Sequence, residues 1–193
     1  MDNVSGWFAK AYLINIFVIS ASFSQINSAS NATDLQNAPC SLYKLSLGIG
    51  VGTMDVSGTA SFAYDFSGQF LSIHAVATDE FKLFGDNPVE RIGDIGILYG
   101  VSARWGKWYA STGAGISYVH SINRGKLIRR ANEMFGADDY EEISRSSVGL
   151  PIQVEISVAP FSYLGVAIIG FANINSIKAY GGITFCIQIG KLH

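Results

Sequence analysis

The sequence predicts an all-β fold, an eight-stranded antiparallel up-and-down transmembrane β-barrel, and three observations lead there. First, eight segments between residues 41 and 191 alternate side-chain character with period 2, the mark of strands whose faces meet unlike surroundings. Second, hydrophobic residues make up 49% and charged residues 15% of the 193, yet no apolar run lasts the ~20 residues that a membrane helix needs. The apolar residues are instead dispersed at every second position, as barrels that cross membranes require. Third, 21 glycines and 12% aromatics suit many short strands better than a helical bundle.

The segments follow in order. YKLSLGIGVGTM sets Tyr43, Leu45, Leu47, Ile49 and Val51 against Lys44, Ser46, Gly48, Gly50 and Gly52. TASFAYDFS sets Phe62, Tyr64 and Phe66 against Ala63, Asp65 and Ser67. QFLSIHAVAT sets Leu71, Ile73, Ala75 and Ala77 against Ser72, His74, Val76 and Thr78. In GDIGILYGVSAR, Ile95, Ile97, Tyr99 and Val101 oppose Asp94, Gly96, Leu98, Gly100, Ser102 and Arg104. In KWYASTGAGISYVHS, Trp108, Ala110, Thr112, Ala114, Ile116 and Tyr118 oppose Ser111, Gly113, Gly115 and Ser117. GLPIQVEISVAP places Leu150, Ile152, Val154, Ile156 and Val158 opposite Pro151, Gln153, Glu155 and Ser157. YLGVAIIGFANI is apolar on both faces, so its register stays open. YGGITFCIQIGK closes the series, with Ile183, Phe185, Ile187 and Ile189 against Thr184, Cys186, Gln188 and Gly190.

Which face meets water separates two barrels. In a soluble, lipocalin-like ligand-binding barrel the aliphatic face would point inward, and the outer surface would consist mostly of Gly, Ser and Ala with few charges. Turned the other way, the bulky aliphatics face lipid and the small polar face fills a narrow lumen. The second arrangement accounts for both faces, and it places Gln153 and Glu155 inside.

The N-terminus agrees with export. Lys10 precedes AYLINIFVIS, and SASFSQINSAS follows, so residues 1–30 read as a secretory signal peptide cleaved near Ala29 or Ser30. Residues 31–40 are a polar lead-in, and 41–193 the barrel domain. NAPC lacks the residues that precede a lipidated cysteine. Cys40 and Cys186 have no partners at metal-ligand spacing; a disulfide between them and two buried thiols are both open.

The links alternate in length. DFSGQ, RWGK and APFS are short, whereas 78–91 and 121–147 are long, the asymmetry of barrels with turns on one side of the membrane and loops on the other. Tyr43, Phe66, Trp108, Phe161 and Tyr163 cluster towards the short-turn end, where an interfacial aromatic girdle would sit. This organisation resembles the small eight-stranded outer-membrane barrels of the OmpX/Ail and OmpA-barrel type over roughly residues 41–191. The resemblance is architectural and implies a bacterial outer-membrane location. The chain ends GKLH, whereas such barrels often end on an aromatic residue.

Lys44, Asp65, His74, Asp94, Arg104 and Glu155 fall on the lumen face. Buried charges need partners, so Glu155 is expected to meet Arg104 or Lys44, in an ion-pair plug that serves stability. For a lipid-directed enzyme the candidates are Ser72 with His74 inside and His120 at a rim, since acyl chemistry needs a Ser, a His and an acid together. The loop 121–147 carries Arg124, Lys126, Arg129 and Arg130, then Glu133, Asp138, Asp139, Glu141 and Glu142. These charges either pair along a hairpin that prolongs the strands or bind a charged partner or lipopolysaccharide. No cofactor or metal is expected, and a net charge of −2 gives no case for nucleic acid. The expected role is a non-enzymatic outer-membrane protein, structural or adhesive, with membrane lipid and an extracellular protein or surface ligand as partners. A narrow channel is the alternative closest to it.

Overall fold

A computed structural model describes residues 42–80, 88–129 and 139–192. Cys40 and the segments expected to be a signal peptide and polar lead-in lie outside these residues, as do Arg130, Glu133 and Asp138.

Eight strands follow one another: β1 (Leu42–Gly52), β2 (Asp55–Phe66), β3 (Gln69–Asp79), β4 (Arg91–Trp105), β5 (Trp108–Arg129), β6 (Asp139–Val158), β7 (Leu164–Asn175) and β8 (Tyr180–Lys191). Each pairs antiparallel with the next, and β8 returns to β1, so the sheet closes in the order β1-β2-β3-β4-β5-β6-β7-β8. Closure removes the free edges of a sheet.

Two ends are distinct. At the turn end, Ser67 (φ 54) and Gly68 (φ 80) link β2 to β3. Both central residues are left-handed, as a two-residue hairpin turn that matches strand twist requires. Gly106 (φ 61) opens the link between β4 and β5. At the opposite end, β5 and β6 run on as a paired ribbon as far as Arg129↔Asp139. Most of 121–147 is therefore strand and not the long loop expected of a link; it is the hairpin that prolongs the strands, one of the two readings of its charges. The asymmetry of the ends is also weaker than expected. Thr53–Met54 and residues 176–179 are short links at the ribbon end, and β2 begins at Asp55, earlier than its alternation showed.

The outward face is apolar. Leu47, Ile49, Ile73, Ile97, Ile116, Val154, Ile156, Ile168, Phe185 and Ile187 are all exposed, and Ile152 half so. Gln153 and Glu155 point inward and are 7% and 3% exposed. A soluble barrel would reverse this, because an apolar side chain gains ~1.5–3 kcal/mol by burial. Tyr43, Phe66, Trp108, Phe161 and Tyr163 are exposed at or beside the turn end; Tyr64 stacks on Phe66, and Phe161 on Tyr163.

The inward face is less uniformly polar than its sequence pattern implied. Phe70, Ile92, Leu98, Val119, Ile169 and Phe171 are buried inside. Met54, Val76, Ile92, Val119, Phe171 and Tyr180 form an apolar cluster towards the ribbon end. In β7, Ala167, Ile169, Phe171 and Asn173 are the inward set, which settles the register left open by its two apolar faces. Glycine admits this packing. A Cβ on Gly115 would overlap the Ile97 carbonyl, and one on Gly48 the Cys186 Sγ.

Candidate functional site: the filled interior and the β5–β6 ribbon

Alternation brings Lys44 from β1, Asp65 from β2, Tyr109 and Ser111 from β5, Glu155 from β6 and Gln188 from β8 into the turn-end half of the lumen. Lys44 Nζ bonds Glu155 Oε1, with both side chains buried. Gln188 Nε2 donates to the same oxygen at 2.8 Å and to Ser46 Oγ at 3.0 Å. Arg104 does not reach Glu155; its Nη2 donates to Asp65 Oδ1 at 3.1 Å from the rim, where a third of its side chain is exposed. Ser102 Oγ and Tyr109 Oη donate to Asp65 Oδ2, the latter at 3.2 Å. Tyr109 joins the two pairs, because Lys44 Nζ also lies 3.7 Å from its ring centroid. Each cation thus has a carboxylate, and neutral donors add to both: Gln188 on Glu155, Ser102 and Tyr109 on Asp65. Buried ion pairs need that completion to offset their desolvation.

A second group lies nearer the ribbon end, beside the apolar cluster. Asn173 Nδ2 donates to Asp94 Oδ2 and, at 2.8 Å, to Ser117 Oγ. His74 Nε2 is 3.9 Å from Asp94 Oδ2. Ser72 Oγ donates to the Ile73 carbonyl at 3.4 Å, so Ser72 and His74 share a face without bonding each other. Cys186 is a free, buried thiol, 3.4 Å from Thr59 Oγ1. Leu98, Val119, Thr184 and Cys186 are fully buried, which leaves the lumen filled around this level. Among the described residues no cluster of His, Cys, Asp and Glu has the makings of a metal site.

Tyr109, Gln188 and Asn173 were not singled out in the sequence as partners. Parity alone would have found Tyr109, which shares the inward set with Ser111. The bonds to Gln188 and Asn173 depend on distances across the lumen that strand patterns do not carry.

Outside, Tyr118 Oη donates to Ser146 Oγ at 2.7 Å, and His120 Nδ1 lies 3.2 Å from that oxygen. Among the described residues no carboxylate bonds His120, so none of them supplies the acid of a hydrolytic triad there. Higher up, Arg124 anchors the 80–90 link to the ribbon. It pairs with Glu80, donates from Nε to the Pro88 carbonyl at 3.0 Å, and its backbone N–H reaches Glu90 Oε1 at 3.3 Å. On the other flank, Ser147 Oγ meets Ser176 Oγ at 2.7 Å. β4 stops pairing with β5 at Arg91↔Ile122, and β7 with β6 at Gly149↔Asn175. Beyond those points the ribbon is a two-stranded projection of roughly 25 Å, at ~3.3 Å per residue.

No family model matches the sequence, and no curated protein matches it either. Solved structures do. Neisserial surface protein A matches with TM-score 0.52 and 12% identity over 77% of this chain and 94% of that one. The N-terminal β-barrel domain of Pseudomonas aeruginosa OprF matches with TM-score 0.53 and 6% identity over 77% and 96%. A looser similarity, TM-score 0.47 at 12% identity over 78% and 97%, is to Ail, the attachment invasion locus protein of Yersinia pestis. At such identities the likeness establishes the fold alone: a closed eight-stranded barrel of the kind found in small outer-membrane proteins.

Proposed function

We propose that this chain is a bacterial outer-membrane protein without enzymatic activity, which works at the cell surface through its β5–β6 ribbon. The observation that carries the reading is a mismatch of strand lengths. β1, β2, β3, β7 and β8 have 11 or 12 residues, close to the ~9–11 that cross a bilayer. β5 and β6 have 22 and 20, about twice that requirement. Their excess stands where the apolar band ends, carrying the exposed charges Lys126, Glu141, Glu142 and Arg145. Membrane lipid is the partner of the apolar band; an extracellular protein or lipopolysaccharide is the partner class for the ribbon.

Cell fractionation with heat-modifiable gel migration tests the membrane barrel directly. Recovery in the outer-membrane fraction, with faster migration before boiling, is expected. Recovery in the periplasm would refute the reading.

The filled lumen argues against the channel alternative, since eight strands leave room for side chains and little else. Purified protein in planar bilayers is expected to give negligible conductance. Stable, discrete current steps would make the channel the better reading.

A further inference from the structure

We propose that the projecting edge of β6 binds the same edge of a second copy, head to head, so that barrels in two facing membranes join through one continuous sheet. The inference deepens the surface-protein reading and rests on it. Among the described residues no strand pairs with the outer edge of β6 above Gly149, whereas the β5 edge is held at Arg124 by Glu90 and Pro88. An unpaired edge is a template for another strand.

Symmetry restricts the register. Two antiparallel strands related by a twofold axis keep their faces only if the numbers of opposed residues sum to an even value. The register centred on Ile143 satisfies this and places Glu141 opposite the partner's Arg145, twice. Tyr140 then faces Ser146, and Glu142 faces Ser144, so no like charges meet. Glu141 and Arg145 are both exposed, and neither has an ion-pair partner among the described residues. Glu141, Ile143 and Arg145 share one face of the ribbon; an isoleucine pair at the twofold is flanked by two salt bridges. Copies side by side in one membrane would instead bring the edges together parallel. The twofold along the membrane normal then sets each residue level with its own copy but on the opposite face, so no symmetric ladder with matched faces forms. Symmetry therefore disfavours the lateral contact, and the charge pattern suits contact between membranes.

The test uses two differently labelled populations of phosphatidylcholine vesicles carrying the full-length protein, with clustering followed by energy transfer. Wild-type vesicles are expected to cluster. Glu141→Arg alone and Arg145→Glu alone should each slow clustering about tenfold, because every crossing then opposes like charges. Mixing the two single-variant populations should restore it, since an arginine again faces a glutamate at both crossings. Heat-modifiable migration of each variant checks that the barrel itself is intact. Inserted, heat-modifiable wild-type protein that fails to cluster overturns the homotypic contact and leaves the membrane reading standing. Clustering by both single variants at the wild-type rate, or no recovery in the mixture, also overturns it. Protein that never inserts overturns both readings.

Discussion

Glu155→Ala is expected to lower the stability of the folded barrel in detergent by about 3–5 kcal/mol, the usual cost of leaving one member of a buried ion pair without its counter-charge. Glu155 is 3% exposed and accepts from both Lys44 Nζ and Gln188 Nε2. Its loss leaves the Lys44 ammonium against the Tyr109 ring with no carboxylate in direct contact among the described residues. Urea titration with gel migration as the readout measures the change. The double variant Lys44→Met, Glu155→Ala should cost less than the two single losses together, because the second substitution removes the stranded charge. Additive losses would show that the two residues do not interact.

Ile97→Arg should cost about 2–4 kcal/mol in lipid vesicles, the penalty for a cation near the middle of a bilayer on a barrel's outer wall. Ile97 lies in a row with Ile73 and Ile116 across β3, β4 and β5, at mid-height of the apolar band. Ile128→Arg is the contrast. Ile128 is 71% exposed on the ribbon, outside the band, and its replacement should change stability by less than about 0.5 kcal/mol. Equal, small effects at both positions would mean that Ile97 faces water, and the membrane reading would fail.

Seven of the eight strands were legible in the sequence because their two faces meet unlike surroundings, and period 2 records that difference residue by residue. β7 was legible as a strand but not in register: Ala167, Ile169 and Phe171 pack inside among apolar neighbours, while Val166 and Ile168 form the outer face. Both surroundings select the same residue types. The ribbon was legible only as one of two readings of the charges in 121–147, for the opposite reason. Above the rim both faces of β5 and β6 meet water, so Arg, Glu and Ser alternate without contrast. Position along the strands put Lys44, Arg104 and Glu155 in one half of the lumen. It could not choose Lys44 over Arg104 for Glu155, because β1 and β6 meet only across the interior. That choice depends on the stagger of strands around the barrel.

The pairing of β8 with β1 bears on how the chain folds. Tyr43 lies opposite Lys191, and Gly48 opposite Cys186, partners drawn from the two ends of the described sequence. Every other strand pair joins neighbours in the chain, so hairpins can form early with little loop to close. The seam is expected to come last, after the slow search that long-range strand pairing entails. Until then β1 and β8 keep exposed edges, and β1 carries Lys44 without the carboxylate that β6 supplies. Sealing the seam and neutralising that lysine are then one event, and a chain that stops short of β8 leaves an open sheet with two edges free for aggregation.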